Sequence, residues 1–179
     1  MKNRLLQFSL IILTASIFVS CSKDDSEDVQ AQVEVTGKWN ISSAESNFKS
    51  SSDEETNSVL DLRDQNLFIE FNADGTYTSN AEFGIGELNV NPNGIVSNTY
   101  SYNNGRLDIQ LIESTLDKSV ILYFHPEGDD NNLVLKSGLD DLLDAYNDQV
   151  ASFDLVTGFL IDATIKSYTS LDFNISLSK

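Results

Sequence analysis

Few side chains in this sequence could do covalent or metal chemistry. Among 179 residues there is one histidine, His125, and one cysteine, Cys21. A hydrolytic triad needs a base held beside a nucleophile and oriented by a third group. His125 stands in His125-Pro126-Glu127-Gly128, and no serine sits in a nucleophile-elbow pattern. It reads as an exposed turn histidine. One histidine and one cysteine do not complete a zinc site of the usual kind. With 28 Asp and Glu residues, a carboxylate pair at the ~5–9.5 Å glycosidase separation is expected by chance and nominates no residue. From Glu70, the run Glu70-x-Asn72-x-Asp74-Gly75 has the outline of a calcium loop. The bidentate glutamate such a loop needs at its twelfth position falls on Ala81, so calcium is rejected there. Asp129-Asp130-Asn131-Asn132 reads as a solvated loop, and no glycine-rich phosphate loop is present. The expectation is a non-enzyme with no metal and no cofactor.

The chemistry that remains belongs to Cys21. Lys2 and Arg4 precede an apolar stretch from Leu5 to Val19, shorter than the ~20 residues of a membrane span. A basic start and a short apolar run read as an export signal. The run ends Phe18-Val19-Ser20-Cys21, then turns polar. This junction resembles the lipobox cut by lipoprotein signal peptidase, with Phe18 where that family prefers leucine. The resemblance implies that residues 1–20 are removed and that Cys21 carries lipid at the new N-terminus. Two or three acyl chains hold a protein on a membrane lastingly, whereas one binds only marginally. Ser22-Lys23-Asp24-Asp25 resembles the export tag of Bacteroidota-type surface lipoproteins. That implies the outer membrane, with the cell surface favoured over the periplasmic face. Residues 21–34 read as an acidic, flexible tether. With its thiol alkylated, the chain has none left for a disulfide.

Net charge bounds the partners. The chain carries −17, and −19 without residues 1–20, which hold Lys2 and Arg4 and no acid. Such a surface repels phosphate backbones, which excludes nucleic acid. It also repels anionic headgroups, so the membrane link is the lipid itself.

Residues 35–179 fit one domain, and most of it alternates with period two. Leu67, Ile69 and Phe71 alternate with Phe68, Glu70 and Asn72, and Asn72-Ala73-Asp74-Gly75 is a tight turn before Thr76-Tyr77-Thr78. A second hairpin joins 97–102 to 107–112 through Asn103-Asn104-Gly105. Extended runs follow at 120–124 and 133–135, separated by a loop at 126–132. Leu171, Phe173, Ile175 and Leu177 form the most regular strand. Residues 46–58 and 84–94 read as loops. Leu139, Leu142, Leu143, Tyr146 and Val150 share one helical face over 138–151, with Ser137 as N-cap. Residues 155–166 fit either a strand or a second helix. The strand is favoured, because a hairpin of 159–166 with 170–178 would pair the last strand. About eight or nine short strands predict a mainly-β barrel or sandwich with one amphipathic helix near the C-terminus.

Gly37-Lys38-Trp39, then Phe68-Ile69-Glu70-Phe71-Asn72-Ala73-Asp74-Gly75-Thr76-Tyr77, then Thr99-Tyr100-Ser101-Tyr102, occur in the order found in lipocalin-like lipoprotein domains. The resemblance covers about residues 36–136. It implies an antiparallel calycin-type barrel with Trp39 at its closed end. Trp39, Phe71, Tyr77 and Tyr100 are the residues that would meet a small apolar or amphipathic ligand. No arginine follows the last strand to pack on Trp39. Two functions follow: a membrane-anchored binding or accessory uptake module, or a surface lipoprotein that meets a protein partner without a ligand cavity.

Overall fold

The computed structural model describes residues 33–84, 89–113 and 118–179. Nine strands run antiparallel: β1 (Gly37–Ser50), β2 (Glu55–Asp61), β3 (Phe68–Phe71), β4 (Thr76–Gly84), β5 (Asn89–Asn103), β6 (Arg106–Glu113), β7 (Lys118–Gly128), β8 (Asn132–Gly138) and β9 (Tyr168–Ser178). Two helices, α1 (Leu139–Gln149) and α2 (Leu155–Ile165), stand between β8 and β9.

The sheet closes because β1 pairs along both edges. One edge meets β9 from Asn40↔Ser178 to Ser50↔Tyr168. The other meets β3 at Gly37–Asn40 and then β2 at Ser43–Lys49. With β3 through β9 joined in succession, the result is a closed eight-stranded barrel plus one extra strand, β2, continuing the row of β3. Closure removes the unpaired edges that make open sheets aggregate.

Alternation then sorts the side chains. Trp39, Ile41 and Ala44 of β1, Ile69 and Phe71 of β3, Leu107, Ile109 and Leu111 of β6, and Ile175 and Leu177 of β9 all point inward and are buried in one core. The switch from odd to even positions in β1 follows a register shift between Ile41 and Ser43. An extra residue there turns the following side chains to the other face.

Turns end the strands as the chemistry requires. Gly75 and Gly105 adopt φ of +82° and +78° in their hairpins. Gly128 sits at φ +144°, and a Cβ there would lie 2.0 Å from the Asn132 carbonyl oxygen. Asp129 Oδ1 accepts from the backbone N–H of Asn131 and Asn132, closing the β7–β8 turn.

Several expectations need correction. Residues 46–58 are not a loop: β1 runs to Ser50 and β2 starts at Glu55. Residues 89–94 belong to β5 and Gly84 to β4; the hairpin tip at 85–88 lies outside the described residues. The loop expected at 126–132 shrinks to 129–131, because Pro126 pairs with Leu135 inside the β7–β8 ladder. The β6 ladder ends at Phe124, so Pro126 sits where β7 has a single neighbour and the missing N–H is tolerated. The α1 N-cap is Gly138 rather than Ser137, and Gly138 N donates to Asp141 Oδ2 at 2.8 Å.

Residues 155–165 are a helix, not a strand. Asp154 caps it, with Oδ1 accepting from Val156 N and Thr157 N. The last strand needs no hairpin partner there, since β9 pairs with β8 on one side and β1 on the other.

Two buried serines make opposite predictions. Ser79 Oγ donates to Phe68 O at 2.7 Å and accepts from Ala81 N, bridging the irregularity in β4. Ser46 Oγ is buried with no partner. Ser79→Ala is expected to cost about 1–2 kcal/mol and Ser46→Ala to be neutral or to stabilise by up to ~1 kcal/mol. Gly128→Ala is expected to cost at least ~2 kcal/mol through strain and backbone clash. Urea unfolding of the three variants measures each value.

Candidate functional site

Three of the four aromatic residues expected to meet a ligand form one cluster. The Phe71 ring lies 4.9 Å from Tyr100 and 6.2 Å from Tyr77. Trp39 pairs with Ile69 across β1 and β3 and is fully buried. Every polar tip is already bonded inside the protein. Trp39 Nε1 donates to Val35 O at 2.7 Å, Tyr77 OH to Gln110 O at 2.7 Å and Tyr100 OH to Asn72 O at 2.8 Å. Burial pushes the Tyr77 hydroxyl up to about 12. The Lys179 ammonium stands 4.6 Å from the Trp39 ring centre, the place where the sequence offers no arginine.

A small cavity lies elsewhere in the core, lined by none of these four aromatic residues. Between Ile69, Ile109, Leu111, Phe124, Leu135, Ile175 and Leu177 the cavity is about 10 Å³. That is near the least volume that admits one water, far below the ~300 Å³ of a ligand pocket. Outside the same end of the barrel lies a larger, solvent-open groove of about 640 Å³. It is lined by residues 33–36, 73–75 and 100–103. Its carboxylates are engaged locally: Glu34 accepts from Thr36 N, and Asp74 from the Thr76 N–H and hydroxyl. These bonds hold both carboxyls below the ordinary range.

His125 is not in a turn but in β7, opposite Lys136. Its Nε2 lies 2.8 Å from Asp141 Oδ1, and that carboxylate's other oxygen accepts from Gly138 N. Among the described residues no hydroxyl bonds the imidazole, so the pair ties α1 to the barrel wall. Further along α1, Tyr123 OH donates to Asp148 and its ring carries the Arg106 guanidinium at 3.8 Å. Burial, then the Asp148 bond, pushes the Tyr123 hydroxyl up to about 12. Gln149 completes the attachment as a strand residue would. Its Oε1 accepts from Ile121 N, and its Nε2 donates to Ile121 O. No group of three or more His, Cys, Asp or Glu side chains suited to a metal ion occurs among the described residues. Cys21 lies outside them.

The outer face of α2 is made of residues that the helical alternative grouped together, although the strand was favoured. Leu155, Val156, Phe159 and Leu160 are 90, 66, 69 and 52 % exposed. The opposite side is held against α1, with Tyr146 OH donating to Gly158 O at 3.0 Å and Tyr146 stacked on Phe153. Ile165 is buried beneath the last turn. Helix and strand patterns both fit 155–165, and sequence alone could not say which side of a helix would meet the barrel.

Comparison with family models, with curated proteins and with solved structures gives no match.

An alkaline titration tests the aromatic core. Tyr77 keeps its proton to about pH 12 when folded and to about 10 when unfolded. Below pH 10 its contribution is fully present; between 10 and 12 the unfolded state loses the proton first and stability falls. The expected loss is roughly 2–3 kcal/mol. Tyrosinate absorbance should show late ionisation at Tyr77 and Tyr123, and Tyr77→Phe should flatten the stability loss.

Proposed function

We propose that this protein is a lipid-anchored, non-enzymatic lipocalin-like lipoprotein that acts through its outer surface, as an interaction protein, rather than by carrying a ligand in its barrel. Cys21 bears the lipid and the outer membrane holds it, with the barrel facing the cell surface. The single observation behind the choice of surface over calyx is that the cavity between Ile69, Ile109, Leu111, Phe124, Leu135, Ile175 and Leu177 holds only about 10 Å³. Trp39, Phe71, Tyr77 and Tyr100 fill and close one end, and their polar atoms have partners within the fold. A ligand entering there would have to break those bonds and displace packed rings. Nothing about His125 favours hydrolysis, since its bond partner is a helix-capping aspartate.

The reading has three tests. The mature protein should carry acyl mass on Cys21, and Cys21→Ser should abolish it. Native mass spectrometry of the barrel with a panel of fatty acids and small apolar dyes should show no bound species. Stoichiometric retention of one of them, lost in Tyr77→Ala, would restore the carrier function. Crosslinking in intact cells should give one dominant protein partner.

A further inference from the structure

We propose that the exposed face of α2 rests on a zwitterionic lipid surface, giving the protein a second, non-covalent contact with the bilayer that its anchor reaches. The proposal rests on the lipid-anchor reading for its setting, but the contact itself belongs to the barrel domain.

α2 differs from the rest of the surface. The chain is strongly acidic, yet Leu155, Val156, Phe159 and Leu160 form one uncharged face at helical spacing. Of the charged residues at its edges, Asp162 is paired with Lys166 at 2.7 Å and Asp154 is spent on the cap. Contiguous exposed apolar patches mark interaction sites. At eleven residues the helix is ~16 Å long, too short to cross a bilayer but long enough to lie in its interface.

Chain length makes the bilayer the available occupant. Residues 22–33 can extend to at most ~40 Å. A barrel built on the fourteen residues of β1 is ~33 Å tall at a strand tilt of ~40°. Every side of the barrel therefore lies within reach of the membrane that holds Cys21. A tether of this length holds the patch beside the bilayer at an effective concentration on the order of millimolar, which adds to the binding the patch shows by itself. A second copy is disfavoured, because it would bring two strongly acidic surfaces together. The same acidity predicts a preference opposite to that of basic amphipathic helices: neutral headgroups over anionic ones.

The closed barrel has its own core and its own paired edges, so residues 33–179 are a fair test object without any lipid. In flotation with phosphatidylcholine vesicles, this domain should bind measurably, and phosphatidylglycerol in the mixture should weaken binding. Leu155→Asp with Phe159→Asp should reduce partitioning at least tenfold while the far-ultraviolet spectrum stays unchanged. Phe159→Trp should shift its emission to the blue on vesicle addition. Absence of flotation, stronger binding to anionic vesicles, or a dimer in sedimentation equilibrium that Phe159→Asp dissolves would each overturn the proposal. Failure of lipidation is read separately, from the mass of Cys21 in the full chain.

Discussion

The structure depends on β1 being paired along both edges. Its first residues bond β3, its later ones bond β2, and its whole length from Asn40 bonds β9. The strand near the start of the domain and the strand at its end therefore meet. Long-range pairing of this kind carries a loop-closure cost, offset only when the sheet has become a barrel with no free edge. Once it has, inward and outward positions are fixed on every strand. A shift of one residue would put a whole strand's apolar set in water.

Closure also dictates what the interior can hold. Eight strands enclose a space just wide enough for side chains. In the described core that space is taken by Trp39, Phe71, Tyr77, Phe124 and the aliphatic residues between them. Lys179 covers the Trp39 ring and donates its backbone N–H to Asn131 O, fastening the end of β9 to the β7–β8 turn. The outer surface is less uniform than the core. There the exceptions to a charged surface are informative: α1 is bonded to the wall by His125, Tyr123 and Ile121, whereas α2 turns large apolar side chains outward.

Much of the fold was legible because the barrel strands are half-buried and speak in period two. Leu107, Ile109 and Leu111 declared their face, as did Ile175 and Leu177, and the turns at Gly75 and Gly105 are where glycine placed them. The misread segments have a common cause. Residues 46–58 are polar and read as a loop, yet all but the turn at 51–54 belong to β1 and β2. Their strand state comes from backbone pairing with β9 and with each other, which composition does not record. Pro126 argued for a loop, and only the local lack of a second neighbour lets it stay in β7. Residues 155–165 fit both periods, with Phe159, Ile161, Ala163 and Ile165 alternating and Leu155, Val156, Phe159, Leu160 and Ala163 on one helical face; the Asp154 cap and the packing of Tyr146 on Gly158 decided for helix.

The amino-acid sequence by itself determined the chemistry available: one thiol, one histidine, an excess of acid, and alternating strands that must bury one face. These are local or compositional properties, and they survive without knowing which strand neighbours which. Tertiary structure alone decided that Trp39, Phe71 and Tyr77 are buried at one barrel end with their polar atoms bonded inside the fold, that His125 pairs with a helix-capping aspartate, and that one face of α2 is left open to its surroundings. Each of those depends on contacts between residues far apart in the chain, which exist only after β1 and β9 have closed the sheet.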